Sequence, residues 1–363
     1  MLLTEESMKK SQWIALLVAI VTLASLFPLS SCGNRKKKYS THSLDYFDTA
    51  TTIMGYAASQ EEFDAISAQI LDELAQYHRL FTIYYRYEGL ENLCTVNELQ
   101  NGVHRTVTVD RRIIDMLLYS KEVYRKTDGK VNVAMGSVLS IWHDYREAGM
   151  DEPWAATLPP REMLEEAAKH TSIDDLIIDE VNNTVHLADP AMKLDVGAIA
   201  KGYAVEMVAK DLETRGITGY VLNVGGNVRT VGMRGDGEKW IAGIENPAEG
   251  ADEPYLAYLG LSGESLITSG SYQRYYTVGD QNYHHIIDPE TLMPAEGYLS
   301  VSVICPSSAD GDALSTALFC MSIEEGQALV RSLDGVEAHW MLSDGTRITS
   351  DGFDAYLVSI SDN

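Results

Sequence analysis

The sequence predicts an α+β fold, a single domain of mixed, largely antiparallel sheets with flanking helices. Three observations carry that expectation. Helical periodicities are interspersed with runs of short strands and do not alternate with them in regular units. From Leu176 to Ser269 turn residues cut the chain into strand-length pieces, at Gly225-Gly226, Gly235-Asp236-Gly237 and Ser262-Gly263. No linker, repeat period or low-complexity block divides residues 42–363.

In chain order, Asp45 to Ala58 reads as a strand, with alternation around Thr51 to Tyr56. Glu62 to Phe81 is helical, with Phe63, Ile66, Ile70, Leu74 and Tyr77 on one face. Arg112 to Thr127 is a second amphipathic helix, closed by Asp128-Gly129. Ala148 to Pro160 reads as a proline-bearing loop. A helix starting near Gly197 interrupts the strands, its apolar rows formed by Ile199, Tyr203 and Met207 and by Ala200, Ala204, Val208 and Leu212. A strand at Ser300 to Ile304 leads into a buried helix from Asp312 to Met321. The chain closes with a helix (Glu324 to Leu333), a strand (Ala338 to Leu342), a turn at Asp344-Gly345 and a last strand (Ala355 to Ile360).

The 363 residues include 45% hydrophobic residues, ordinary for a globular chain. The N-terminus differs. Lys9 and Lys10 precede an apolar run from Trp13 to Pro28, short for a membrane span and suited to a signal peptide. Leu29-Ser30-Ser31-Cys32 resembles a bacterial lipobox, which implies cleavage after residue 31 and a lipid on Cys32; an uncleaved anchor is the alternative. Residues 32–41, with Arg35 to Lys38, read as a basic linker, and 42–363 as the catalytic domain. Both N-terminal readings place the protein outside the cytoplasmic membrane.

Against 28 basic residues stand 53 acidic ones, a net charge of −25. This argues against nucleic-acid binding and for a soluble surface. Cys94, Cys305 and Cys320 have no metal-ligand spacing and read as buried thiols.

Two segments carry chemistry. In Asp195-Val196-Gly197-Ala198-Ile199-Ala200-Lys201, the lysine falls in a first helical turn, where the macrodipole disfavours a cation. A bound anion such as phosphate would account for it, and a capped helix with a solvated lysine is the plainer alternative. Asp312 and Thr316 lie one helical turn apart, a carboxylate and a hydroxyl suited to magnesium bridging a phosphate, unless Asp312 is only an N-cap.

With Asn223-Val224-Gly225-Gly226-Asn227, Thr268-Ser269-Gly270-Ser271-Tyr272-Gln273-Arg274-Tyr275-Tyr276 and His284-His285-Ile286-Ile287-Asp288-Pro289, these segments in this order resemble the ApbE family of FAD:protein FMN transferases, from about Phe47 to the C-terminus. The resemblance implies magnesium held by Asp312, Thr316 and the Ala198 carbonyl, with Ser315 as a further ligand. It implies FAD contacts from Asp195, Lys201, Asn223, Gly225, Gly226, Ser269, Gly270, Ser271 and Ile287. Met54, Tyr84, Lys130, Val131 and Asn132 fall near its flavin-contacting regions. Many family members have an acidic residue in place of Asn132 and a glycine in place of Leu292.

The resemblance makes His285 the candidate general base. A metal site from His284, His285 and Asp288 is the other reading, disfavoured because adjacent strand residues face opposite ways. The implied reaction moves FMN from FAD to a Thr or Ser of an acceptor flavoprotein carrying a motif like Asp-x-x-Ser/Thr-Gly-Ala-Thr, and releases AMP. A hydrolase giving FMN and AMP, and a non-catalytic flavin-binding lipoprotein, are the rivals. The joint presence of Asp312, Thr316 and His285 favours an enzyme.

Overall fold

The structure, a computed structural model, describes residues 36–248 and 250–359. Cys32 and the apolar N-terminal run lie outside the described residues. Strands β1 (Lys37–Tyr46) and β2 (Thr49–Ala57) form a hairpin. Helix α1 (Gln60–Phe81) follows; the Ser59 hydroxyl accepts the Glu62 N–H at 3.2 Å, and Phe63, Ile70 and Leu74 are buried at helical spacing. The short helix α2 (Leu93–Val96) and the strands β3 (Leu99–Gln100), β4 (Val103–His104) and β5 (Val107–Thr108) lead into α3 (Arg111–Lys126), capped by Asp110.

Next come α4 (Gly136–Asp151), α5 (Arg161–Ala168), β6 (Leu176–Asp179), β7 (Thr184–Leu187) and α6 (Ala200–Thr214). The strands β8 (Tyr220–Val224), β9 (Asn227–Val231), β10 (Trp240–Glu245), β11 (Tyr255–Leu261), β12 (Ser265–Gly270), β13 (Tyr275–Val278), β14 (Gln281–His284) and β15 (Tyr298–Cys305) precede α7 (Ser308–Phe319). Helix α8 (Ile323–Arg331) and strands β16 (Glu337–Leu342) and β17 (Arg347–Thr349) complete the order.

Eight strands form one sheet in the order β1-β2-β8-β9-β12-β15-β16-β17, every neighbouring pair antiparallel. With the smaller antiparallel sheets and the helices, this is the expected α+β class. Helices α1, α3 and α6 pack their apolar stripes on one face of the sheet, around Ile53, Leu74, Ile113, Val205 and Leu222. On that same face, α7 and α8 cover β15 and β16 through Leu314, Leu318, Val303 and Trp340. A third cluster joins α4 and α5 to the β13–β14 hairpin through Trp142, Leu164, Tyr276, Ile287 and Leu292.

Several boundaries differ from the sequence reading. Lys37 to Thr41 belong to a strand and not to a linker, because they pair with Ile53 to Ala57. Ala148 to Asp151 are the last turn of α4, and only the following prolines end it, in a single 3₁₀ turn at Pro153–Ala155. The closing segment is a 3₁₀ turn, Phe353–Tyr356, with one bridge from Leu357 to Leu259, in place of a strand. Helix α6 begins at Ala200, three residues beyond Gly197. Helix α7 begins at Ser308, where the Ser307 hydroxyl caps it, so Asp312 is an interior residue and not an N-cap.

Candidate functional site

Helices α6 and α7 cross at Gly202, where α6 carries no side chain to hold them apart. A Cβ on Gly202 would lie 2.4 Å from both the Ser308 carbonyl oxygen and the Asp312 Cβ. This close approach puts the Asp312 carboxylate on the start of α6. Its Oδ2 accepts the Gly202 N–H at 2.7 Å and its Oδ1 lies 3.3 Å from the Lys201 Nζ. Gly202 is the third helical residue, so its N–H would otherwise turn to the Ala198 carbonyl. Among the described residues no backbone N–H donates to that carbonyl.

Lys201 therefore has partners that the sequence did not reveal: Asp312 and the Asn227 side-chain oxygen. Burial pushes its ammonium down from the ordinary lysine range, with Asp312 opposing and the Arg274 charge adding to the fall. Asn227 is 1% exposed, and among the described residues its Nδ2 has no partner. The Ser315 hydroxyl donates to the Asp312 carbonyl at 3.1 Å and meets the Ser269 hydroxyl at 2.8 Å. The Thr316 hydroxyl donates to the same carbonyl at 3.3 Å, leaving its lone pairs free. A carboxylate, hydroxyls and an undonated carbonyl are hard oxygen donors, the chemistry that suits a magnesium ion.

Asp195 stands on the loop before α6. Its backbone N–H donates to Val133 at 2.8 Å, and its Oδ1 accepts the Gly197 N–H at 2.8 Å. Burial raises its pKa; the Gly197 N–H, His143 and Arg146 work the other way. Tyr84 stacks obliquely on His143 with ring centres 5.2 Å apart, and Arg146 approaches the His143 Nδ1 at 3.0 Å. Tyr84 is 53% exposed, and crowding at its phenol, then the Asp195 charge, pushes its pKa up.

His285 follows the β13–β14 hairpin. Its N–H donates to the Arg274 carbonyl at 3.1 Å, and its Nδ1 lies 3.3 Å from the same oxygen. A carbonyl only accepts, so Nδ1 carries the proton and Nε2 keeps its lone pair. Burial, then the charges of Arg274 and Arg146, hold the imidazole down at about 3. His284 faces elsewhere, with its Nε2 on the Ala295 carbonyl at 2.8 Å and its ring edge-on to Phe319. The two histidines do not share a site.

The sheet separates the remaining candidates. Arg229 bonds Glu206 and Asn227 bonds Lys201, so odd-numbered positions of β9 face α6. Register places Met54 and Asn223 on the opposite face, Met54 among Tyr56, Val221 and Trp240. Gly225 and Gly226, at φ 55° and 89°, form the two-residue turn between β8 and β9, and the Asn223 Oδ1 accepts the Gly226 N–H at 3.1 Å. The Ser271 hydroxyl turns to the Leu299 carbonyl, and a Cβ on Gly270 would strike the Tyr272 ring. Val131 and Ile287 are buried in the core. Asn132 spends its side chain on Ala134 and Thr171. Lys130 pairs with Glu290 at 2.8 Å and Asp288 at 3.5 Å, beside a cavity of about 410 Å³ that also reaches Cys320 and Glu325.

The structure thus joins Asp195, Ala198, Lys201, Ser269, Asp312, Ser315 and Thr316 around the start of α6, and adds Gly202 and Asn227. Asn227 ends one of the motifs singled out in the sequence and Gly202 directly follows another, but only the helix crossing shows their use. His143 and Arg146 left no signal, since nothing in the sequence brings α4 to Asp195.

Comparison with known proteins gives the family. The ApbE family pattern matches residues 47–340. A FAD:protein FMN transferase of Klebsiella pneumoniae is 33% identical over 269 residues, covering 72% of this chain and 80% of that protein. One from Escherichia coli K12 is 28% identical over 353 residues, 94% of this chain and 97% of its own length. The crystal structure of the ApbE protein of Thermotoga maritima superposes with a TM-score of 0.76 at 27% identity, covering 89% of this chain and all of that one. On its sequence and its fold, the chain belongs to the ApbE family.

Proposed function

We propose that the protein transfers FMN from FAD to a Ser or Thr hydroxyl of an acceptor flavoprotein, in a magnesium-dependent reaction that releases AMP. The observation that carries this reading is the crossing of α6 and α7. There an ammonium, a carboxylate and an undonated carbonyl meet within one helical turn. Relatives of matching length named FAD:protein FMN transferase support the same activity.

In the proposed step the acceptor hydroxyl oxygen bonds to the phosphorus on the FMN side of the diphosphate. The bond from that phosphorus to the AMP oxygen breaks, and the hydroxyl proton passes to the His285 Nε2. Asp312, Thr316 and the Ala198 carbonyl would hold magnesium, with Ser315 beside them, and the ion would supply charge neutralisation for the phosphates. Lys201 steadies phosphate charge from the first turn of α6. Asp195 and Tyr84 line the side nearer α4. A neutral imidazole with its lone pair free is the form a general base requires. We further propose that Cys32 carries a lipid and holds the domain on the extracytoplasmic face of the membrane.

The test is incubation with FAD, magnesium and an acceptor domain bearing the Ser/Thr-Gly-Ala-Thr-like motif, followed by mass measurement of the acceptor. A gain of one FMN, with AMP in equal amount, is the expected result. FMN and AMP accumulating beside unmodified acceptor would make the protein a hydrolase. Neither product would leave a flavin-binding lipoprotein.

A further inference from the structure

Helix α4 runs outward from the site and leads to Trp154, the most exposed aromatic side chain among the described residues. Its first residue is tied to the loop that carries Asp195: the Gly136 N–H donates to the Lys193 carbonyl at 3.0 Å. Further along, the Trp142 indole N–H donates to the Leu292 carbonyl at 2.9 Å. Gly149 lies so close to the Tyr276 ring of β13 that a Cβ there would come within 2.5 Å of it. The helix thus bridges the Asp195 loop and the hairpin that His285 follows. Trp142 and Gly149 use its inner face. His143, Arg146 and Met150, three and four residues apart, share the next flank. His143 packs on Tyr84 at the site, and Met150, about 10 Å further along the axis, is 48% exposed. Trp154 follows in the 3₁₀ turn and is 83% exposed.

Trp154 is held on a fixed backbone. The Ala155 N–H donates to the Glu152 carbonyl at 2.9 Å, and the Tyr276 hydroxyl donates to the Thr157 carbonyl at 3.2 Å. Tryptophan is among the more buried residue types, and here its indole stays in water with no gain inside the chain. Between Asp144 and Trp154 the carboxylates of Asp144, Glu147, Asp151 and Glu152 stand against Arg146 alone, and all four residues are exposed. None of the four makes an ion pair among the described residues. A rigid tryptophan and a methionine ringed by unpaired charge have the composition of an interface centre with its polar rim.

We propose that Met150, Trp154 and the carboxylates beside them form the surface on which the acceptor protein docks. The acceptor seats an apolar side chain on Trp154 and Met150 and sets lysine or arginine against the carboxylates, while its hydroxyl enters at His285. This role rests on the transferase reading above, since a group transfer is what brings a second protein to the site. Two features select that occupant. The flank is continuous with the site through His143 and Tyr84, so a protein that reaches His285 meets it. The unpaired carboxylates call for a basic partner. They repel the anionic headgroups of a bilayer, and they repel a second copy of this chain, which carries the same carboxylates and the same net charge of −25.

The experiment is steady-state transfer by the full protein to an acceptor domain bearing the Ser/Thr-Gly-Ala-Thr-like motif. Wild type is compared with Trp154→Ala and with the double variant Asp151→Lys, Glu152→Lys, and thermal unfolding checks the fold. Trp154→Ala should raise the KM for the acceptor at least about tenfold, with kcat at saturating acceptor and FAD affinity unchanged. The double variant should raise the same KM and flatten its increase with salt. An unaltered acceptor KM in both variants would overturn the docking surface and leave the transferase reading standing. A fall in kcat alone would also overturn it, by placing Trp154 in the chemistry or the fold. With the acceptor KM unmoved, weaker binding of the Ala variant to phosphatidylglycerol vesicles would make the strip a membrane surface. Loss of a wild-type dimer, again with that KM unmoved, would make it a contact between copies. Wild-type protein that splits FAD but modifies no acceptor would remove the transferase reading and this inference together.

Discussion

Asp312 accepts the backbone N–H of Gly202 at 2.7 Å, and Glu206, one turn further along the same helix, accepts the N–H of Ser308 at 2.8 Å. Helices α6 and α7 therefore cap each other with carboxylates, Gly202 to Asp312 and Glu206 to Ser308. Both carboxylates serve orphan N–H groups of a first helical turn, where the macrodipole adds to the hydrogen bond. Glu206 also pairs with Arg229 at 3.1 Å, both buried. The proposed metal ligand is thus a structural part of the crossing.

That relationship sets the cost of removing Asp312. As an exposed cap it would cost about 1 kcal/mol. Buried, it leaves the Gly202 N–H unsatisfied and Lys201 without its carboxylate, so Asp312→Ala should lose about 2–4 kcal/mol in urea unfolding as well as activity. Asp312→Asn keeps an acceptor for Gly202 and should recover much of the stability while remaining inactive at any magnesium concentration. Wild-type turnover in the Asn variant would remove the metal assignment.

Gly202→Ala tests the crossing itself. The added methyl meets the Ser308 carbonyl and the Asp312 Cβ at 2.4 Å, so the helices must separate. We expect about 1–3 kcal/mol of destabilisation and a fall in kcat, because Asp312 moves with α7. A variant as stable and as active as wild type would show that the crossing has slack.

His285→Ala should keep FAD affinity and slow transfer about 10²–10⁴-fold. The free protein holds this imidazole near 3, so log kcat/KM should show no downward break near pH 6.5. The stability effect has the same origin. Below about pH 6.5 the unfolded chain takes up a proton on His285 that the folded chain refuses until about pH 3, so stability falls as pH drops through that window. The Ala variant should lose this part of the acid sensitivity. Lost FAD affinity with an unchanged bound-state rate would make His285 a binding residue.

Leu292 has φ 60°, a region that costs a residue with a Cβ about 1–2 kcal/mol, and it is also buried against Trp142. Leu292→Gly removes the strain and loses about 1.5–3 kcal/mol of burial, so the two nearly cancel. Leu292→Ala keeps the strain and loses the burial. Thermal unfolding should rank the variants with glycine above alanine; the reverse order would show that strain here is negligible.

Mass spectrometry of membrane-extracted protein should find residues 1–31 absent and a diacylglyceryl adduct on Cys32. An intact N-terminus in that sample would indicate an uncleaved anchor.

The sequence by itself determined what depends on local order. Apolar spacing set the bodies of α1, α3 and α6, turn glycines set the β8–β9 hairpin, and the ordered motifs set the family. Asp195 and Lys201 drew attention at the start of a periodic helix, and Asp312 and Thr316 by their one-turn spacing within another. Element ends were less legible: α7 begins four residues before Asp312 because Ser307 caps it, and β1 begins among lysines because pairing with β2 overrides their charge. Only the tertiary structure decided which candidates meet. Strand register, a property of pairing between distant segments, put Met54 and Asn223 on the face of the sheet away from Lys201. The packing of α4 on the β13–β14 hairpin brought Arg146 towards His285, which lies 139 positions away in the chain. No local pattern encodes such contacts, because they arise from shape complementarity between faces whose partners the chain does not name.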